Sequence, residues 1–248
     1  FFAWRYVSVT HYFQDQEFRA YAFLLLVLSS FVIASLFFYR GFADPFQTFL
    51  DGLFQAVSIG TTTGFTTDSF ALWPAALPVL LIFASFIGGS AGSTAGGIKV
   101  IRWLLVYKQG VREIARLVHP NAEIPVKLGN TAVQSRVVEA VWGFFSVYII
   151  VFGVMMLAMM STGLDQVTAF SAVAACMNNL GPGLGDVGAN YTNISDTAKW
   201  VLVFAMLLGR LEIFTLLVIL WIVNQLNKLI RPLVAKFSCE RFWSSIRS

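Results

Sequence analysis

Twenty consecutive residues, Ala20 to Tyr39, carry no charge. At about 1.5 Å of helix rise per residue they cross a hydrocarbon core about 30 Å thick, so a membrane is the solvent for this stretch. Val137 to Met160 is a second such stretch, with Glu139 near its start, and Ala198 to Leu220 is a third, carrying Arg210 and Glu212. Composition agrees: 57% of the 248 residues are hydrophobic and 12% are charged. An ordinary soluble domain carries about 25% charged residues. Two cysteines, Cys176 and Cys239, make neither a disulfide scaffold nor a cysteine-based zinc module. The net charge is +4, but in a membrane chain the placement of Lys and Arg outweighs their sum, and no nucleic-acid partner is implied.

Leu72 to Leu117 is hydrophobic or small for most of its length, yet a continuous helix there would run about 70 Å, over twice the apolar thickness. Five glycines between Gly88 and Gly97 oppose helix by about 5 kcal/mol together. Unwound backbone is therefore expected over 88–97. Phe46 to Ile59 and Val167 to Met177 are too short to cross and each leads into a Gly-containing turn, which fits re-entrant helices. Asp44-Pro45 and Asp165 supply the N-cap signals at their starts.

The chain repeats itself. Phe54 to Ser58 matches Phe170 to Ala174 at an offset of 116, Phe83 to Gly89 matches Phe204 to Arg210 at 121, and an offset of 117 carries Ala20–Tyr39 onto Val137–Met156. Span, short helix, turn and span thus occur twice in the same direction. Of 17 Lys and Arg, 14 lie in residues 1–19, 98–136 and after 220, while Asp44, Asp51, Asp68, Asp165, Asp186 and Asp196 lie on the opposite side. The positive-inside rule places the two turns at the outer face. The fold expected is an all-α membrane protein with two tandem membrane-pore-membrane repeats, re-entrant pore helices and a broken inner helix. Its segments are a cytoplasmic stretch 1–19, a first repeat 20–118, a cytoplasmic linker 119–136, a second repeat 137–220 and a basic amphipathic tail 221–248. The opening Phe1-Phe2-Ala3-Trp4, without Met, leader or lipidation motif, reads as part of something longer.

Thr61 to Thr67 follows the first short helix, and Asn178 to Gly183 follows the second at the corresponding place. A run of carbonyls aimed at one axis needs a residue free to adopt φ > 0, which Gly64 and Gly181 supply. Rings of such carbonyls replace the hydration shell of a potassium ion. A glycine after an apolar helix is also a common C-cap, but two copies at matching positions favour a pore. The candidate ion-binding residues are Thr62, Thr63, Gly64 and Phe65 with Asn179, Leu180, Gly181 and Pro182.

Thr62-Thr63-Gly64-Phe65-Thr66 looks like the filter motif of potassium channels. Together with Ala56 to Gly60, the run Gly88 to Gly97 followed by Ile98-Lys99, and Leu208-Gly209-Arg210-Leu211-Glu212, it resembles the Trk/Ktr/HKT potassium transporter superfamily, its bacterial TrkH branch above all. The resemblance covers about Arg19 to Leu220 and corresponds to the third and fourth of four repeats around one filter. It implies potassium as cargo with no organic cofactor, a bacterial cytoplasmic membrane, and a multi-pass subunit. The partners it implies are the two other pore repeats, a second complete subunit in a homodimer, and a cytosolic ring of nucleotide-binding regulatory subunits, besides the lipid bilayer. The basic segment Ile98 to Arg136 is a candidate part of the docking face for that ring. Residues 221–248 have no counterpart in the resemblance.

Small residues in a span usually mean close helix packing, but the ten from Gly88 to Gly97 exceed what packing needs. Unwound backbone at membrane depth is tolerated only against protein or a water-filled cavity. Gly88, Gly89, Ser90, Gly92, Ser93, Thr94, Gly96 and Gly97 therefore form a candidate gate below the filter. Ser90, Ser93 and Thr94 are expected to bond one another, the loop carbonyls or Arg210. Arg210, at the repeat position of Gly89, costs about 3 kcal/mol at mid-membrane unless partnered. Glu212 is the obvious ion-pair partner but points to another helix face. The preferred reading is an electrostatic barrier held by loop carbonyls and by Glu139. Lys99 is expected to snorkel to the inner interface, with a minor gating role.

Two rivals remain. Gly88-Gly89-Ser90-Ala91-Gly92 satisfies the G-x-S-x-G pattern of serine hydrolases, but the two histidines, His11 and His119, fall in segments read as cytoplasmic. The other rival is a non-conducting half that completes a pore made elsewhere. Gly181 to Gly185 lacks dinucleotide-fingerprint spacing, and Asn190-Tyr191-Thr192 and Asn193-Ile194-Ser195 are sequons meaningful only in a eukaryotic secretory route.

Overall fold

The computed structural model describes residues 15–40, 44–74, 76–119, 122, 124–129 and 131–211. The cytoplasmic stretch 1–14, the tail 221–248 and the stretch 212–220 of the third span, including Glu212, lie outside the described residues.

Helix α1 (Gln16–Arg40) has 25 residues and carries Glu17 in its first turn and Arg40 in its last, the polarity that suits a helix dipole. Only Ser29, Val32 and Leu36, spaced for one helix face, are buried, so the rest of this apolar helix is left largely uncovered by the described residues. They face α2 (Pro45–Gly60), 16 residues long. Close approach is possible because Gly52 and Gly60 lack side chains: a Cβ on Gly52 would lie 2.9 Å from Ile33 Cγ1, and one on Gly60 2.8 Å from Leu25 Cδ2. Pro45 sits in the first turn of α2 as expected, but the Asp44 side chain makes no capping bond.

A 3₁₀ turn at Phe70–Leu72 leads to α3 (Leu77–Ser85), and the chain resumes helix only at α4 (Val100–Val118). The break is a closed excursion, because Ile98 N–H donates to the Phe86 carbonyl at 3.0 Å and Val100 N–H to Gly89 at 3.1 Å. Its two ends are thus pinned together. Between the repeats, residues 127–128 and 131–132 form a small antiparallel ribbon, with Lys127 opposite Ala132, inside the segment read as a plain linker.

The second repeat comprises α5 (Ser135–Ser161, 27 residues), α6 (Gln166–Met177, 12 residues), a 3₁₀ turn at Gly185–Val187, and α7 (Asp196–Arg210). Asp165 caps α6 by accepting from Val167 N–H at 3.1 Å and Thr168 N–H at 3.2 Å. At about 18 Å, α6 is too short to span a bilayer, and from Thr168 onward it is buried on nearly every side. Its alanines let α5, α7 and α3 pack against it. Among the described residues, α1 and α5 are the two helices long and apolar enough to cross a membrane.

One buried cluster joins the repeats, running from Val32 and Leu36 of α1 through Ile59, Phe70, Leu81 and Ile82 to Ala174, Ala175 and Leu180.

Candidate functional site

The turns after α2 and α6 have the same backbone hydrogen bonds at an offset of 117. Thr61 N–H donates to Val57 at 2.9 Å and Asn178 to Ala174 at 3.0 Å; Thr62 donates to Ile59 at 3.0 Å and Asn179 to Cys176 at 3.1 Å. Thr63 donates to Ser58 and Leu180 to Ala175, both at 2.8 Å. Dihedrals repeat as well: φ is +56° at Thr62 and +51° at Asn179, then +84° at Gly64 and +107° at Gly181. The glycines take the left-handed conformation expected of them. That Thr62 and Asn179 share it was not legible; Asn tolerates this region, whereas a β-branched Thr there is strained.

The two turns meet. A Cβ built on Gly64 would overlap the Leu180 carbonyl oxygen, so only glycine lets the first turn approach the second. Of the candidate oxygens, that of Phe65 accepts from Ser58 Oγ and that of Gly181 from Tyr191 Oη, each at 2.6 Å. Among the described residues, the carbonyls of Thr62, Thr63, Gly64, Asn179, Leu180 and Pro182 accept no hydrogen bond. A carbonyl without a protein donor needs water or a cation.

Asn178, fully buried, fastens the second turn from behind. Its Oδ1 accepts from Tyr148 Oη on α5 and its Nδ2 donates to Ser85 Oγ at the end of α3, both at 2.8 Å. Ser85 Oγ in turn donates to the Ile82 carbonyl at 2.6 Å. Tyr148 and Ser85 were not among the candidates, because nothing in their spacing relates them to residue 178.

The interrupted helix lies directly against the turns. Gly96 N–H donates to Thr62 Oγ1 at 2.8 Å, and a Cβ on Gly96 would overlap the Asn178 carbonyl. Charged side chains approach the loop from three elements. Glu17 of α1 accepts from Ala91 N–H at 2.5 Å, and Arg210 at the end of α7 donates to the Thr94 carbonyl at 2.6 Å. Lys99, itself at φ +78°, turns back and donates to the carbonyls of Ser93, at 2.8 Å, and Ala95. The lysine is thus folded into the loop instead of extended toward an interface. No ion pair joins Arg210 to Glu139 among the described residues. Of the loop hydroxyls, Ser93 Oγ accepts from Lys99 at 3.3 Å, while those of Ser90 and Thr94 make no hydrogen bond among the described residues.

Asp51 and Asp68 are held by protein partners. Asp51 is buried within α2, where it accepts from Arg40 at 3.2 Å and from Gln47 at 3.0 Å. Arg40 also pairs with Asp68, whose carboxylate takes the Trp73 indole N–H at 2.9 Å. The indole bond, then the Arg40 guanidinium and the Ser69 amide, hold the Asp68 carboxyl below its ordinary value against the opposing effect of partial burial. Among the described residues no histidine stands near Ser90: His119 follows α4, about 28 Å of helix away, and His11 lies outside the described residues.

The family described as "TrkH: Cation transport protein" matches residues 11–229. The chain belongs to the TrkH family. Among its relatives, the Trk system potassium uptake protein TrkH of Vibrio parahaemolyticus is 55% identical over 214 residues, covering 86% of this chain and 44% of that protein. The protein of the same name from Escherichia coli K12 is 54% identical over 215 residues, again 86% and 44%. Escherichia coli TrkG is 38% identical over 198 residues, covering 79% of this chain and 41% of that protein. The crystal structure of the potassium transporter TrkH from Vibrio parahaemolyticus superposes with a TM-score of 0.83 at 54% identity, covering 88% of this chain and 47% of that one. This TrkH-family chain therefore spans less than half the length of these relatives, whose names are those of transporters and not of enzymes.

Proposed function

We propose that the chain forms two of the repeats of a potassium uptake pore in a bacterial cytoplasmic membrane, and that α2 and α6 are its re-entrant pore helices. The observation that carries this reading is the pair of matching turns whose carbonyls lack protein donors. An ion leaving water finds in those oxygens what its hydration shell provided, and the negative C-terminal ends of α2 and α6 favour a cation beside them. Thr62, Thr63, Gly64, Asn179, Leu180 and Pro182 present such oxygens. Phe65 and Gly181 already hold a hydroxyl and keep one lone pair for an ion.

Two turns do not encircle an ion. The other half of the ring comes from repeats outside this chain, and a homodimer of complete subunits and a cytosolic nucleotide-binding ring belong to the same proposal. The loop 88–97 is the gate: Arg210, Lys99 and Thr62 hold it across the path, so that flux requires those bonds to open. Ions then move passively down their electrochemical gradient. The second reading is a non-conducting half, and rubidium flux through the assembly with all four repeats separates the two, because substitutions at Thr62 or Gly64 alter that flux only where this chain lines the path.

The test is potassium-versus-sodium flux in an assembly with all four repeats. Gly64→Ser is expected to lose selectivity and Arg210→Ala to leak. Unchanged selectivity removes Gly64 from the filter, and undiminished closure removes Arg210 from the gate.

A further inference from the structure

Two hollows adjoin between α1, α4 and α5. The larger, about 840 Å³, is lined only by aliphatic and aromatic side chains, Phe86, Phe145 and Phe152 among them. Its polar tips are turned away or lie at its edge: Tyr148 gives its hydroxyl to Asn178, Trp103 its indole N–H to the Phe86 carbonyl at 3.3 Å, and Tyr107 is 70% exposed. The smaller, about 640 Å³, shares Ala20, Phe23 and Leu104 with the larger and adds Arg19 and Lys108. From one end of this groove to the other the lining passes from hydrocarbon, through Trp103 and Tyr107, to two cations.

We propose that the groove is a binding site for an anionic phospholipid, with acyl chains in the apolar hollow and the headgroup phosphate at Arg19 and Lys108. The order of chemistries along the groove is that of a lipid leaflet: acyl region, aromatic belt, charged headgroup. The charge has the right sign, since basic pockets between membrane helices on the cytoplasmic side suit acidic headgroups. The cations are placed to receive a phosphate. Among the described residues the Arg19 side chain makes no hydrogen bond or ion pair, and Lys108 donates to Gln16 Oε1 at 2.9 Å and the Lys127 carbonyl at 2.6 Å, leaving its third ammonium proton. The two bonds hold Lys108 at the mouth. The groove lies between α1 and α5, the two helices fit to cross a bilayer, so it opens where acyl chains are the surrounding solvent. This site is independent of whether the chain conducts potassium.

The test is native mass spectrometry of the delipidated chain titrated with phosphatidylglycerol or with phosphatidylcholine of the same acyl chains. Phosphatidylglycerol is expected to be retained preferentially, and the double substitution Arg19→Gln with Lys108→Gln to weaken it about 30-fold, two surface cations' worth of attraction. Ala20→Trp, which keeps both charges but obstructs the junction of the hollows, is expected to displace the lipid too. Phosphatidylglycerol with brominated acyl chains should quench Trp103 in the unaltered chain, judged against Trp103→Phe, a readout that needs no charge variant. Equal retention of the two lipids, unchanged affinity in the double variant, or absence of quenching at Trp103 overturns the proposal. So does cross-linking of Phe23→Cys to a second copy of the chain that added phosphatidylglycerol fails to suppress, because the groove is then a protein interface.

Discussion

Gly96 N–H donates to Thr62 Oγ1 at 2.8 Å in a buried position, so the interrupted inner helix and the first turn share a hydrogen bond. The gate candidate and the filter candidate are thereby one mechanical unit: the loop cannot move away without freeing a hydroxyl on a residue already strained at φ +56°.

Thr62→Val keeps the shape of the side chain and leaves the Gly96 N–H without an acceptor, a loss of about 1–3 kcal/mol. The loop should then rest open more often, and rubidium flux through the assembled pore should rise several-fold. Thr62→Ser retains the acceptor and should stay close to the parent. Equal flux in both variants would show that this bond does not hold the gate.

Gly64 sits at φ +84°, and a Cβ built there overlaps the Leu180 carbonyl oxygen of the second turn. Gly64→Ala therefore adds displacement of that carbonyl to the cost of the left-handed backbone, about 1–2 kcal/mol. The ratio of potassium to sodium flux through the assembled pore should fall in this variant. An unchanged ratio would show that the close approach of the two turns does not shape the filter.

Asn178→Leu removes one partner from each of two buried hydrogen bonds, leaving Tyr148 Oη without its acceptor and Ser85 Oγ without its donor. An unpaired buried polar group costs about 1–3 kcal/mol. Thermal unfolding in detergent should show a drop of several degrees, and adding Tyr148→Phe to the Asn178 variant should recover part of it. Lack of any recovery would separate Tyr148 from the stability of the second turn.

Asp68 ties Arg40 and Trp73 together only as a carboxylate. Its folded pKa is depressed, so the stabilisation is fully present above the ordinary carboxylate value of about 3.9 and is lost as pH falls through the lower folded value. Acid titration followed by Trp73 fluorescence should show a transition below that ordinary value, absent in Asp68→Asn. A transition centred at or above about 4 in the parent would contradict a depressed value.

Much of the architecture was legible in short-range pattern. Uncharged length marked α1 and α5, glycine density marked the break between Ser85 and Val100, and internal similarity placed the second turn once the first was found. Asp165 reads correctly as a cap because its partners are two and three residues away. Asp44 shows the limit of that logic: the same residue type before a proline makes no cap bond. Asp51 shows another, since its side chain is decided by Arg40 and not by its own helix.

The amino-acid order alone determined which stretches are long and apolar enough to cross a membrane, where helix must break, and that one unit occurs twice, because hydropathy and backbone propensity act over a few residues at a time. Tertiary structure alone decided which carbonyls lack a protein donor, that Lys99 bends into the loop, that Thr62 receives Gly96, and that Asn178 joins Tyr148 to Ser85. Those pairings connect atoms on different helices. A hydrogen bond needs its partners within about 3 Å, and only the packing of α2, α3, α5 and α6 around one another brings such distant residues that close.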